Sequence, residues 1–217
     1  MEIEVLPLTE ADIPGAVAVI QQAFADDPYF KWVFDSSTMG YKKRNIPSRK
    51  REALYLFLSI NFPPPIIGVS CWLPPKTPTD PETWSSWFSN WILSFNQLLN
   101  NIRYFGRGGL RTNRYWIWKT QQEKAQEEIW DDPRGYYFCN IVAVGNDVQG
   151  KGVGRVLFEA VTKIADLEGV KCYLESSKDE PNVRIYERMG FQMTRTMECR
   201  DGEDTCMLYC MTRNPKT

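Results

Sequence analysis

Hydrophobic positions recur along this chain with two periods, about two and about 3.6, and each change of period marks a new element. Ile3-Glu4-Val5-Leu6-Pro7-Leu8 alternates like a short strand, and after Thr9 the apolar positions Ile13, Val17 and Ile20 predict a helix reaching Phe24. Asp26-Asp27-Pro28 then turns the chain into an aromatic patch of Tyr29, Phe30, Trp32 and Phe34. A helix is expected from Ser48 through Leu58, beside a basic cluster from Lys42 to Arg51, and a strand over Ile66–Leu73 that Pro74 and Pro75 stop. Trp84, Trp87, Phe88, Trp91, Phe95, Leu98, Leu99 and Ile102 fall three and four apart, the stripe of an aromatic helix. Such a stripe serves as core, as a dimer face or as a ligand wall. Tyr115–Trp130 reads as a further helix with an exposed face from Lys119 to Glu128.

The second half has a cleaner pattern. Tyr136–Val144 is the strongest strand run, and Gly145–Gly154 is a glycine-rich turn opening a helix with Val156, Leu157, Val161 and Ile164 on one side. Lys171–Ser176 reads as a short strand, and Asn182–Met189 as a helix closed by Gly190. Phe191–Arg200 and Thr205–Thr212 form a hairpin around Asp201-Gly202. Strands and helices intermixed at this density predict an α/β fold, and 217 residues with 43% hydrophobic content fit a single domain over 1–217.

Charge and composition narrow the chemistry. With 26 basic and 27 acidic residues the net charge is −1, which supplies no excess for unselective binding to nucleic acid or an anionic membrane. Histidine is absent, which excludes Ser-His-Asp and Cys-His hydrolysis and the HExxH metalloprotease helix, so no metal site is expected. The 6 cysteines include no CxxC pair and read as reduced thiols. No run approaches the ~20 apolar residues of a membrane span, and the acidic first residues do not resemble a signal peptide. A soluble, cytoplasmic protein is the expectation.

The loop Gly145-Asn-Asp-Val-Gln149-Gly150-Lys151-Gly152-Val153-Gly154-Arg155 sits between a strand and a helix, where glycines commonly hold anions. The dinucleotide fingerprint GxGxxG fails, because Arg155 stands where its third glycine belongs. The P-loop GxxxxGK[ST] fits Gly145, Gly150 and Lys151 and then meets Gly152 in place of the metal-binding hydroxyl. Gln149, Gly152 and Gly154 spell Gln-x-x-Gly-x-Gly. Glycines at that spacing let successive backbone N–H groups converge on a pyrophosphate at the positive end of a helix without a metal.

That loop resembles the pyrophosphate loop of the GNAT superfamily of N-acetyltransferases. Asn182-Val-Arg-Ile-Tyr186-Glu-Arg-Met-Gly190-Phe191 is similar to the family's later signature, in the family's order and spacing. The resemblance covers residues 136–212, while the aromatic-rich 76–135 departs from a minimal member and reads as a helical insertion. It implies a mixed, mostly antiparallel sheet splayed in its middle, flanked by helices, with acetyl-CoA in the splay. It also implies roles. Val142, Ala143 and Val144 would offer backbone groups to the pantetheine arm, and Gln149, Gly150, Lys151, Gly152, Val153, Gly154 and Arg155 would hold the pyrophosphate. Asn182 would reach the cofactor's amide arm, although an N-cap after Pro181 is an alternative reading. Tyr186 would protonate the departing thiolate, and Glu175 would take a proton from the incoming ammonium directly or through water.

The function expected on this resemblance is acetylation of a small-molecule amine by direct attack, in a monomer or homodimer. Asp27 and Tyr29 would orient a cationic substrate, and Trp84 and Trp87 would wall its pocket. The alternatives are acetylation of a peptide or protein, and a non-catalytic acyl-CoA-binding module.

Overall fold

Within residues 3–38, 66–75 and 108–216, which the computed structural model describes, five strands form one mixed sheet. They are β1 (Gly68–Leu73), β2 (Tyr137–Val144), β3 (Cys172–Ser176), β4 (Gln192–Asp201) and β5 (Asp204–Arg213), in the order β1-β2-β3-β5-β4. The α-helices described are α1 (Ile13–Ala23), α2 (Pro28–Val33), α3 (Thr112–Ile129), α4 (Val153–Glu168) and α5 (Asn182–Arg188). The basic cluster Lys42–Arg51, the helix expected from Ser48 and the aromatic stripe with Trp84 and Trp87 lie outside the described residues.

Strand alternation divides the core between two faces. Phe138, Tyr173 and Cys210 turn to one face with Met197, Cys199 and Leu208, where Trp32 and Val33 of α2 and Ala125 of α3 cover them. Their neighbours Cys139, Cys172, Leu174 and Met211 turn to the other face, under Phe158 and Ala165 of α4 and Val183 of α5. Helix α1 lies on the first face and packs Ala16 and Val19 against Val69 and Ala143.

One parallel pair interrupts the antiparallel ladders. β2 and β3 pair only over Tyr137–Cys139 with Cys172–Leu174. Beyond that point β2 continues against β1 as far as Val144, and β3 continues against β5 as far as Ser176. In the β1–β2 ladder Cys71 faces Ile141 and Trp72 faces Cys139, so Asn140 is the extra residue of a bulge. A bulge bends its own strand, and this one follows directly on the last β2–β3 pair. The sheet therefore opens in its middle, as the family resemblance implies.

Four expectations from periodicity need correction. Residues 3–8 form no strand: Pro7 lacks a donor, Val5, Leu6 and Leu8 are exposed, and Ile3 alone of the stretch packs on the core. On α4 the face against the sheet is Val153, Leu157, Phe158, Thr162 and Ala165, while Ile164 stays exposed. Helix α3 begins at Thr112, and the span from Lys119 to Glu128 is not simply a solvent face, because Gln122 and Ala125 within it are buried. On α1, likewise, Ile13 and Val17 are exposed, and it is Ala16 and Val19 that are buried.

A buried arginine ties each face together. Arg114 of α3 donates from Nε to Asp201 at 2.8 Å, from Nη1 to the Trp32 carbonyl at 3.0 Å, and from Nη2 to Asp204, so the β4–β5 turn is anchored to α2 and α3. Arg213 of β5 makes two parallel 2.7 Å bonds to Asp166 of α4. Such a fork-to-fork pair is the strong form of a charged contact.

Candidate active site

A cleft of about 750 Å³ occupies the opening between β2 and β3. Its walls are the β2 stretch Asn140–Val144, the glycine loop, the start of α4, the end of β3 and the inner side of α5. Val142, Ala143 and Val144 pair with Ser70, Val69 and Gly68 on the β1 side. In an antiparallel ladder alternate residues bond the partner, so the others in this stretch turn their N–H and C=O towards the opening, where β3 no longer meets them.

The loop is shaped by two residues with positive φ, Gly150 at +75° and Gly152 at +86°. A Cβ at either would stand in open space, with nothing within 4 Å, so the backbone here borders a cavity rather than packed atoms. Gly152 is the N-cap of α4 and brings no side chain to cap it. The first-turn amides of a helix have no partner within the helix, which leaves Val153, Gly154 and Arg155 presenting donors at its positive end. Gln149 ties the loop to β2, donating from Nε2 to the Val144 carbonyl at 3.4 Å and to Asn146 Oδ1 at 3.0 Å. Two cations expected at the rim are turned elsewhere. Lys151 Nζ folds back onto the Asp147 carbonyl at 2.9 Å and does not line the cleft, and Arg155 lines it but holds Glu159 at 2.6 Å. What this loop can offer an anion is therefore backbone more than charge.

Asn182 and Tyr186 lie one turn apart on α5, and both line the cleft. The N-cap of α5 is Pro181, which overturns the capping alternative for Asn182; its Nδ2 instead donates to Ser176 Oγ at 3.4 Å. Tyr186 packs its ring on Phe158 and Phe191, at centroid distances of 5.5 and 6.4 Å. Its hydroxyl has no hydrogen-bond partner among the described residues. Burial, with Cys139 and Asp27 close by, pushes the phenol above the usual tyrosine range, so it stays protonated well into alkaline solution.

Glu175 lies on β3 in phase with Tyr173 and so points to the face covered by α2 and α3, opposite the face that carries Tyr186. Gln122 Nε2 donates to both carboxylate oxygens, at 3.0 and 3.1 Å, and the Tyr173 hydroxyl donates at 2.8 Å. Burial raises the carboxyl above the usual range, against the opposing pull of the Gln122, Tyr173 and Trp118 donors and of the Lys119 charge. A carboxylate raised in this way is a stronger base than one in water.

Asp27 also lines the cleft, 5% exposed, but both its oxygens are engaged. Oδ1 accepts from the Phe30 N–H at 3.1 Å as the N-cap of α2, and Oδ2 accepts from Ser177 Oγ just beyond β3. Tyr29 does not line the cleft; its ring packs between Trp32 and Trp118, 6.5 and 5.4 Å away. Trp84 and Trp87 lie outside the described residues. Sequence reasoning misses Gln122, Tyr173 and Ser177. For Gln122 a signal exists, since Trp118, Gln122, Ala125 and Ile129 fall at four, three and four, an apolar stripe with one amide in it.

Comparison with known proteins bears on the fold and on the class of activity. Residues 111–193 match the family model of the acetyltransferase (GNAT) domain. A Schizosaccharomyces pombe protein known as an uncharacterized N-acetyltransferase is 27% identical over 212 residues, covering 95% of this chain and 81% of that one. A Corynebacterium glutamicum structure described as histone acetyltransferase HPA2 and related acetyltransferase aligns over 98% of this chain and 96% of that one, at 21% identity and a TM-score of 0.53, a likeness of fold. Among the described residues, no helix is long and apolar enough to cross a membrane.

Proposed function

We propose, from the match of residues 111–193 to the acetyltransferase (GNAT) domain, that this acyltransferase transfers an acetyl group from acetyl-CoA to the amine of a small molecule by direct attack. The observation that carries the proposal is the opening of the sheet beyond Cys139 and Leu174, with Glu175 on one face of it, Tyr186 on the other and the glycine loop at its end. The space beside Gly150 and Gly152 and the first-turn amides of α4 fit a pyrophosphate. The outward backbone of Val142–Val144 and the amide of Asn182 fit an extended amide-bearing arm.

Acetyl-CoA, when bound, supplies the acetyl group as a thioester. Glu175 takes a proton from the ammonium form of the acceptor and frees its lone pair. As the new C–N bond formed and the C–S bond broke, the Tyr186 hydroxyl would give its proton to the sulfur that leaves, and the second proton, which the nitrogen sheds on becoming an amide, would return through solvent to restore the Tyr186 phenol. A backbone N–H of β2 polarises the carbonyl oxygen, the same service that oxyanion holes perform. Asp27, buried without a cationic partner among the described residues, favours an acceptor that arrives positively charged.

Thermal unfolding with added ligand tests the first half of this reading. Acetyl-CoA or CoA at ~100 times Kd adds ~2.7 kcal/mol, which raises Tm by several degrees, while ATP with Mg²⁺ leaves it unchanged. No shift with either CoA species overturns the proposal. A panel of amines and peptides, read by release of free CoA thiol, tests the rest: turnover confined to small amines is expected, and turnover confined to peptides would reassign the acceptor. Binding of acetyl-CoA with no turnover across the panel would make the protein an acyl-CoA-binding module.

A further inference from the structure

Gln122 is 3% exposed, among aromatic and aliphatic side chains on the inner side of α3, where an amide is costly unless both its ends are satisfied. Both are. Its Oε1 accepts from Lys119 Nζ at 3.0 Å, and its Nε2 donates to the two oxygens of Glu175. An ammonium can only donate, so Lys119 decides which end of the amide is oxygen and leaves both amide hydrogens for the carboxylate. We propose that Gln122, with its amide fixed by Lys119, is a positioning residue that aims the Glu175 carboxylate and keeps it ionised when the amine arrives. This rests on Glu175 being the acceptor-side base.

The surroundings of Glu175 leave that task to Gln122 and few others. Lys119 and Trp118 face it from α3, Tyr29 from α2, Tyr173 from its own strand, Cys199 from β4 and Cys210 from β5. Burial pushes the phenols and thiols of this set upward, so they stay uncharged at neutral pH, and Lys119 is the set's one basic side chain. It reaches the carboxylate through the Gln122 amide. The ionised form is thus sustained, against burial, by hydrogen bonds from Gln122 and Tyr173 more than by a neighbouring charge. Losing two donor contacts from one side shifts the balance towards the neutral acid.

The test uses the full chain with Gln122→Met, which keeps the length of the side chain and removes its donors, and Lys119→Met, which acts from a part-exposed site and leaves the core untouched. Two readouts are taken. One is the carboxyl ¹³C NMR titration of Glu175, assigned by its loss in Glu175→Gln; the other is the pH profile of kcat/KM with the best amine of the panel. In Gln122→Met the Glu175 midpoint and the acidic limb of kcat/KM both rise, by about one pH unit, and activity returns on the alkaline side. Lys119→Met moves both the same way by less, and it carries the test if Gln122→Met does not fold. A midpoint unmoved in both variants overturns the proposal. A midpoint that rises while the limb stays put upholds the tuning by Gln122 and overturns Glu175 as the base.

Discussion

On the α4–α5 side of the cleft, nearly every group that faces the opening comes from two short stretches, 149–155 and 181–189, the first of them a glycine loop and helix start that offer mainly backbone. On the α2–α3 side the groups come from far apart: Gln122 meets Glu175 53 positions on, and Asp27 meets Ser177 150 positions on. On the proposed reading, the difference follows from what each side would have to recognise. A pyrophosphate is the same in every turnover, and backbone amides held by glycines grip it without any particular side chain. An acceptor amine needs a base, an orientation and a shape, all of which are properties of side chains brought together by tertiary packing.

Tyr186 gives the largest expected effect, because it is the group on the backbone-built side to which a chemical step is assigned. Tyr186→Phe keeps the ring contacts with Phe158 and Phe191 and removes the proton donor. The expectation is a fall in kcat of roughly 10² to 10⁴-fold with acetyl-CoA affinity retained. The pH profile carries a second check. The wild-type rate rises as Glu175 loses its proton, above the ordinary carboxylate range, and any fall from loss of the Tyr186 proton comes above the ordinary phenol range, since burial raises both groups. Steady-state kinetics showing weakened acetyl-CoA binding and an unchanged kcat would reduce the α4–α5 side to a grip and move all the chemistry to the other side.

The two buried arginines set the same comparison in terms of stability. Arg213 depends on Asp166 alone for both its charged bonds, whereas Arg114 divides itself among Asp201, Asp204 and a carbonyl. Asp166→Ala strands a charge at a site where Arg213 is 3% exposed, and an expected loss of about 3–5 kcal/mol lowers Tm by roughly 10 °C. Asp201→Ala leaves Arg114 two partners and costs about 1 kcal/mol. The pH sense is fixed by Arg213, which holds the Asp166 carboxyl below its usual range. The pair's contribution is present above the unfolded carboxylate value and disappears as pH falls through the lower folded one. Equal losses in calorimetry from the two variants would remove the asymmetry.

How much of this was legible in sequence divides along the same line. Gln149–Gly154 and Asn182–Phe191 are contiguous, so their spacing is visible and the helix and loop they form are local. The splay follows from a family resemblance; its physical cause, a bulge at Asn140 beside a parallel pairing only three residues long, lies in a register that periodicity does not encode. Periodicity likewise misassigns the inner faces of α1 and α4, since Ala16, Thr162 and Ala165 lie inside while the larger Val17 and Ile164 stay outside. A weakly apolar residue seats a helix close to a sheet as well as a large one does. Gln122 is the instructive miss. A polar residue in an apolar stripe reads as surface unless its partner is known, and that partner belongs to another element.

A smaller effect than the loss of Asp166 tests the backbone grip itself. Gly150 and Gly152 both have φ in the left-handed region, at +75° and +86°, and a Cβ on either touches nothing. Alanine at each position therefore costs conformational strain without a clash, roughly 1–2 kcal/mol, or a few degrees in Tm. If the loop grips a pyrophosphate by its amides, the added methyl of Gly152→Ala, at the N-cap of α4, also intrudes where the anion must sit. Calorimetric titration of Gly152→Ala with acetyl-CoA should then show weaker binding than its Tm loss explains. Gly150→Ala, carrying the same strain one step back from the helix, should lose less affinity. Two variants equally destabilised and equally able to bind would mean that the amides of α4 are not the grip, and that the cationic rim at Arg155 holds the ligand instead.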